Sequence, residues 1–331
     1  MPGFLKPVTI AGGGLAGLAL GIGLRRRGVE VTLHEAGTYP RHRVCGEFVS
    51  GVDDRVLEKL GIAPHFHDAV RLSSARWFDA RGPVASVKVE AMGISRYALD
   101  DRLQRDFRET GGILHQNSRT LPGAGTVWAA GRIKTQGRWI GLKCHARDMK
   151  LSGDLEMHIG RNGYAGLARI EHGTVNICGL FRTQTAAGGR NALENHLRSG
   201  GLDFLAERLE AADIDPESRC GVAGFDFGRQ HCPEFSIGDA ARMIPPFTGN
   251  GMSMALESAA CALDPLLEYA AGRVSWHEAM ATSDHLQNSL FRRRMAAAVL
   301  IQRVLASMPG LVCSLARAGC VPCGFLLQLV R

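Results

Sequence analysis

The chain has 331 residues, 45% of them hydrophobic, with 39 Lys and Arg against 32 Asp and Glu and a formal charge of +7. That length holds roughly two domains' worth of residues, and the apolar fraction supplies a core, which excludes a disordered or low-complexity chain. The basic clusters Arg25–Arg27 and Arg292–Arg294 lack the aromatic stripe or helix-turn-helix spacing of a nucleic-acid binder, so a solvated surface is expected there and nucleic acid is excluded as a partner.

Val8–Leu24 is apolar enough to imitate a signal peptide or a membrane span. Its basic residues follow the apolar run, the reverse of a secretory leader. Gly12, Gly13, Gly14, Gly17 and Gly21 also suit a membrane helix poorly. The segment reads instead as a buried strand, a tight turn and a helix. A dinucleotide pyrophosphate needs such a turn, with backbone close to the phosphates and a helix N-terminus offsetting their charge. Gly12, Gly14 and Gly17 stand where a side chain would block the turn, the phosphate approach or helix–strand packing, and Leu15 and Ala16 open the helix. Glu35, after the apolar run Val29–Leu33, is placed to accept hydrogen bonds from ribose hydroxyls and disfavours a 2′-phosphate.

Further along, Val70–Phe78 and Val84–Val89 flank Asp79-Ala80-Arg81-Gly82-Pro83 as a hairpin. Ile94–Leu103 opens a helix with Leu99 and Leu103 in the core, and Val127–Arg132 reads as a buried strand returning to the first domain. Trp139–Lys143, Leu155–Ile159, Ala165–Ile170 and Thr174–Phe181 continue as strands of a second sheet, and helical patterns dominate after Ala255. The expected organisation is a discontinuous cofactor domain at 1–69, 94–138 and 216–275, a substrate sheet at 70–93 and 139–215, and a C-terminal helical region at 276–331.

Ser236-Ile237-Gly238-Asp239-Ala240-Ala241, followed by Pro245-Pro246-Phe247-Thr248-Gly249-Asn250-Gly251-Met252, resembles the second FAD motif of the p-hydroxybenzoate hydroxylase and geranylgeranyl reductase superfamily. The resemblance implies an α/β fold: a Rossmann-like FAD-binding domain with an inserted β-sheet for substrate and helices at the C-terminus. It implies that Asp239 holds the ribityl chain and that Gly238 is a further cofactor-binding residue. It also implies that Pro246, Thr248, Gly249, Asn250, Gly251 and Met252 run along the isoalloxazine, where the start of a helix stabilises negative charge on reduced flavin. Arg41–Ser50 and Ile94–Leu103 resemble two further cofactor segments of the superfamily and make Arg43 and Arg96 cofactor contacts. The chain departs from its relatives in lacking an Asp-Gly pair before Gly131 and in a short stretch from Gln116 to Thr126.

The nine cysteines are scattered and odd in number, which fits reduced thiols in the cytoplasm. Cys313, Cys320 and Cys323 lack a fourth ligand nearby, so no metal is expected. Apolar runs from Met295, Leu311 and Cys323 onward are interrupted by Arg303, Arg317 and Gln328, too short to span a bilayer. They suit helices capping the core or a tail that contacts a membrane face peripherally.

The leading expectation is an FAD-dependent monooxygenase of secondary metabolism, hydroxylating a lipophilic aromatic or polyketide-type substrate through a flavin hydroperoxide. The alternatives are a double-bond reductase of the geranylgeranyl reductase type and a non-catalytic flavin-binding protein. A dehydrogenase using the first motif alone is opposed by Gly238–Met252. NAD(P)H would react transiently, since no second nucleotide fingerprint is present. Cys45, in the pair Cys45-Gly46, and Tyr164 are the substrate-side candidates for catalysis. Asn162–Leu167 resembles the reductases' Tyr-x-Trp-x-Phe-Pro element with Gly166 in place of Trp. Halogenation is disfavoured because no Trp-x-Trp-x-Ile-Pro segment occurs.

Overall fold

β1 (Val8–Ala11), α1 (Leu15–Arg25) and β2 (Val31–Glu35) come first along the chain, where the apolar runs stand, in a computed structural model that describes residues 5–132, 135, 137, 139–182, 189, 191–224, 227–229 and 234–324. They are followed by β3 (Phe48–Ser50), α2 (Asp54–Leu60), β4 (Val70–Asp79), β5 (Gly82–Gly93), α3 (Arg96–Glu109), β6 (Ile113–Gln116) and β7 (Thr126–Trp128). Then come β8 (Trp139–Arg147), β9 (Leu155–Ile159), β10 (Gly163–Arg169), β11 (Thr174–Arg182), α4 (Ala192–Ser199), α5 (Asp203–Glu210) and β12 (Asp213–Ala223). Three helices close the described chain: α6 (Gly251–Ala270), α7 (Trp276–Ser307) and α8 (Pro309–Arg317).

The first sheet has the order β6-β2-β1-β7, and all of its pairs are parallel. A parallel sheet needs both faces covered. Every residue of α1 from Leu15 to Leu24 is buried, and α1 packs against α3 and α6. Enclosure on all sides explains why this helix is apolar all round and imitates a membrane segment. Ser95 caps α3 by accepting from the Ala98 N–H at 3.1 Å, and its own N–H donates to buried Glu171 at 2.9 Å.

The second sheet has eight strands in the order β12-β8-β11-β10-β9-β4-β5-β3. One face carries Ile140, Leu142, Cys144 and Ala146 of β8 against Leu193, Leu197 and Leu205 of α4 and α5. Alternation along the strands leaves Lys143 and His145 on the opposite face. This sheet extends past two expected boundaries. β3 pairs with β5 although it precedes residue 69, and β12 pairs with β8 on both sides of residue 216, with an irregularity between Asp215 and Cys220. Strand pairing, not contiguity in the chain, decides which sheet a segment joins. The apolar run expected beyond Gly324 lies outside the described residues, as do 133, 134, 136 and 138 of the expected 94–138 segment.

Candidate functional site

The first glycine turn is closed by direct backbone approach. Gly12 has φ +110°, and a Cβ there would lie 2.3 Å from the Ala129 carbonyl oxygen. A Cβ at Gly17 would lie 2.0 Å from the Gly12 oxygen, so α1 reaches β1 only through glycine. At Gly14 the nearest atom to a Cβ is a guanidinium nitrogen of Arg96, 3.9 Å away, which leaves open space over the turn. No side chain caps α1 and no acidic residue stands in its first turn, so the first N–H groups, from Leu15 onward, face that space uncompensated.

Glu35 anchors the turn. It is buried, and its Oε2 accepts from the Gly13 N–H at 2.9 Å and from Arg43 at 3.3 Å. Its Oε1 accepts from the Gly37 N–H at 2.9 Å and from Arg41 at 2.7 Å. Desolvation opposes the charge, yet Arg43, Gly37, Arg41 and Gly13 together hold this carboxyl below its usual range. A ribose hydroxyl reaching Glu35 would take the place of an arginine N–H, the Arg43 contact being the longer of the two. Arg43 also pairs through Nε with Asp100 at 3.0 Å, and Arg96 holds the same carboxylate with two bonds of 2.7 Å. The expected cofactor arginines thus stand over the glycine turn, fixed in place by one buried aspartate.

The second motif faces the first. Gly238 takes φ +63° and donates its N–H to Ser258 Oγ at 2.8 Å. Asp239 follows; desolvation raises its carboxyl, while Arg132 and Arg96 pull the other way. Its interaction with Arg96 brings the two motifs to one place. Pro246–Thr248 form a 3-10 turn, Gly249 has φ +72°, and α6 begins at Gly251 with no side-chain cap. The Ser253 hydroxyl donates to the Ser50 carbonyl oxygen, tying the start of α6 to β3.

Between these parts lies a charged cluster that the sequence reading passed over. Glu47 has φ 56°, unusual for a residue with a Cβ, and is fully buried. It accepts from Lys143 Nζ at 2.5 Å and the Arg96 N–H at 3.0 Å, and its other oxygen meets His145 Nε2 at 2.6 Å. His145 and Lys143 hold the Glu47 carboxyl below its usual range against desolvation. His42 stacks on Tyr97 with centroids 4.4 Å apart and meets His145 edge-on; burial, Lys143 and His145 push its pKa down to about 4. Asn176 donates to the carbonyls of Cys45 and Gly46 at 3.0 and 2.9 Å. The cluster therefore clamps the Cys45–Glu47 loop against the eight-stranded sheet and α3. A lone lysine in the apolar strand Trp139–Ala146 was the available signal.

A row of directly paired residues crosses that sheet: Cys220, Lys143, Cys178, Gly166, Met157 and Trp77. Paired residues share a face. The row is charged at Lys143 and apolar at Trp77. At its apolar end an open cleft of about 620 Å³, mouth included, is lined by Phe48, Trp77, Leu155, Met157 and Phe247, with Gly166 among its walls. The loop residues Thr248 and Asn250 and Ser50 of β3 supply the polar edge. Among the described residues no Lys, Arg or His lines it. The ionisable lining residue, Glu156, is engaged by Arg208, His158 and Ser152. A Cβ on Gly166 would make only ordinary contacts of 3.9–4.0 Å.

Of the expected cofactor residues, the structure gathers Gly12, Gly14, Glu35, Arg43, Arg96 and Asp239 around one space, and Thr248 and Asn250 border the adjoining cleft. The two substrate-side candidates, Tyr164 and Cys45, are both outside the described lining of this cleft. Tyr164 is buried edge-on to Phe247, with centroids 5.6 Å apart, and is not among the lining residues. Cys45 lies at the charged end, its Sγ 3.4 Å from the Glu47 N–H that donates to it, and burial pushes its thiol up. Among the described residues no group of three or more His, Cys, Asp or Glu is placed to hold a metal ion.

Comparison with solved structures recovers this arrangement over nearly the whole chain. The p-nitrophenol 4-monooxygenase PnpA from Pseudomonas putida DLL-E4 superposes with a TM-score of 0.77 at 13% identity, covering 99% of this chain and 96% of that one. The structure of PqsL from P. aeruginosa in complex with 2-aminobenzoylacetate gives 0.73 at 14% identity, covering 95% and 98%. The chain has the p-hydroxybenzoate hydroxylase fold. In sequence, this member of the fold is 24% identical over 305 residues to a menaquinone reductase of Mycolicibacterium smegmatis, spanning 76% of this chain and 74% of that protein. No family model matches the sequence. Among the described residues no single helix is long and apolar enough to cross a membrane.

Proposed function

We infer that the chain is an FAD-dependent monooxygenase acting on an uncharged, lipophilic aromatic compound of the polyketide-phenol type. The observation that carries this reading is the cleft: aromatic and aliphatic side chains, no basic residue among the described ones to bind a carboxylate, and one edge formed by the loop Phe247–Asn250. The cradle fits FAD, because the open space over Gly14 and the uncapped start of α1 suit a pyrophosphate. Leu15 and Ala16 would donate backbone N–H groups there, with Arg43 and Arg96 alongside. Asp239 would hold the ribityl chain, and Asn250, Gly251 and Met252 would offer the N–H groups at the start of α6. Bound FAD supplies the two-electron activation of dioxygen. The protein's part is to orient an aromatic ring against Phe247, Trp77 and Met157 and to keep water from it.

Names among the structural neighbours, a p-nitrophenol 4-monooxygenase and a probable FAD-dependent monooxygenase, support this class of reaction. NAD(P)H would deliver electrons transiently. Eight free thiols among the described cysteines support a reducing compartment, the cytoplasm. A second reading, double-bond reduction, is favoured by the relative named menaquinone reductase.

The test is single turnover of the photoreduced holoprotein with ¹⁸O₂ and a panel of neutral phenols. One labelled oxygen atom in the product supports monooxygenation; an unlabelled product with a saturated double bond transfers the assignment to reduction. Asp239→Ala should purify without its yellow cofactor, and undiminished FAD content would remove Asp239 from the site.

A further inference from the structure

The last two helices carry a surface that neither the cofactor cradle nor the cleft uses. α7 buries Phe291, Met295 and Ala298 against Ile244 and Met254. Its opposite side carries exposed aliphatic residues. Leu290, Leu300 and Val304 on α7, Met308 at the bend, and Leu311 and Leu315 on α8 are 42–63% exposed. At about 100° per residue, Leu290, Leu300 and Val304 fall within roughly 80° of one another around α7, and Leu311 and Leu315 within roughly 40° around α8. A chain of large aliphatic side chains this long is not the scattered exposure of an ordinary surface.

Charge on the same segment is one-sided. From His285 to the C-terminus the sequence contains six arginines and no aspartate or glutamate. Arg292, Arg293 and Arg303 are exposed. By helical position Arg293 falls within the aliphatic stripe, while Arg292 and Arg303 flank it. Among the described residues no carboxylate pairs with any of these three. An aliphatic stripe edged with arginine complements a bilayer whose headgroups are anionic. It does not complement itself, because a second copy would bring arginine against arginine.

The surface is also joined to the cleft. α8 is fastened to the β4–β5 hairpin: Arg317 donates to the Pro83 carbonyl at 3.1 Å and pairs with Asp79 at 2.7 Å, and Arg81 donates to Ser314 at 2.9 Å. Cys313 and Ala316, on the inner side of α8, pack in one cluster with Trp77, Tyr164 and Phe247. Trp77 and Phe247 line the cleft. α7 and α8 meet at a bend of 102°, and neither helix alone is long and apolar enough to cross a membrane.

We propose that the exposed face of α7 and α8 docks on the surface of an anionic lipid bilayer, which places the apolar end of the cleft next to a reservoir of lipophilic substrate. Docking depends on this face alone and is tested without reference to turnover. Wild-type holoprotein should sediment with vesicles of phosphatidylcholine and phosphatidylglycerol at low salt, and at least tenfold less with phosphatidylcholine alone. Leu300→Glu/Leu311→Glu/Leu315→Glu should lose at least tenfold in partitioning while keeping its circular dichroism and urea midpoint. Arg292→Ser/Arg293→Ser/Arg303→Ser, which leaves the aliphatic residues in place, should lose most of the preference for anionic vesicles. Absence of wild-type sedimentation, or triple variants that sediment like wild type, would overturn the proposal. So would a wild-type dimer in light scattering that ignores vesicles and is split by the leucine substitutions, since a second copy would then own the face. Retained docking by a protein shown to be a reductase would leave this proposal standing and remove the monooxygenase reading.

Discussion

The cofactor cradle and the substrate sheet use the absence of a side chain in opposite ways. Gly12 and Gly17 sit where another backbone atom already fills the place of a Cβ, 2.3 and 2.0 Å away. Gly166 sits where nothing does: a Cβ there finds its nearest neighbour at 3.9 Å, and the space beyond is cleft. The first region is shaped by contact and the second by vacancy. A position shaped by contact fails when it is filled, whereas one shaped by vacancy changes what it admits. The charged cluster at Glu47 belongs to a third kind, in which a polar group is tolerated only because its partner is present.

The largest expected effect lies in that cluster. Lys143 and Glu47 have fully buried side chains. Removing one partner leaves an uncompensated charge, so Lys143→Met should cost about 3–5 kcal/mol in urea unfolding. Glu47→Gln in the same chain should recover much of it. A single variant within about 0.5 kcal/mol of wild type, the scale of an uncoupled surface change, would mean the pair is solvated.

Next in size is the contrast between the glycines. Gly17→Ala forces α1 away from the Gly12 carbonyl and should lower stability by about 1–3 kcal/mol, together with retention of FAD. Gly166→Ala should leave the unfolding midpoint unchanged or slightly raised, because a strand glycine lacks a side chain to pack and adds freedom to the unfolded chain. Gly166→Leu should then raise KM for the bulkiest substrates about tenfold or more, roughly the scale of one or two methylenes excluded from a pocket. Equal stability losses at Gly17 and Gly166 would erase the distinction.

The smallest effect is on acid stability. The folded-state pKa of His42, about 4, lies below its unfolded value near 6.5, so the unfolded chain binds the extra proton first. Its contribution is complete above about pH 6.5 and is lost as the pH falls toward 4. His34, His158 and His196 are shifted in the same direction by burial. Glu35 and Glu47, held below their usual range, lose their contributions at still lower pH. Asp239 and Glu257, raised by burial, act the other way. The urea midpoint should fall from pH 6.5 to 4.5, and His42→Phe should flatten that slope. An unchanged slope would mean the fold leaves the His42 pKa at its unfolded value.

The strand, turn, helix and acidic strand end of the cradle were legible because each is a local event, completed within the first few dozen residues of the chain by glycine spacing and apolar period. The Gly238–Met252 segment was legible for the same reason, as a compact run of turn residues before a helix. The charged clamp was not, since Glu47 follows a loop and Lys143 and His145 stand on a strand far downstream. Nor was the cleft, whose walls come from β3, β4, β5, β9, β10 and the loop before α6. Cys45 and Tyr164 were named from their motifs; the structure packs Tyr164 edge-on to Phe247 and holds the Cys45 loop to the sheet through Asn176.

By itself the sequence determined the two glycine-bearing motifs, the class of fold and the acid-free, arginine-bearing C-terminal segment, because those are properties of neighbours along the chain. Only the tertiary structure decided which residues face one another across the eight-stranded sheet, that the described lining of the cleft is apolar apart from Glu156 and one polar edge, and that the aliphatic residues on the outer face of α7 and α8 are exposed. Those are outcomes of long-range register and packing. In a sheet, register selects the side a residue points to, and a shift of one position exchanges the cleft for the core behind it.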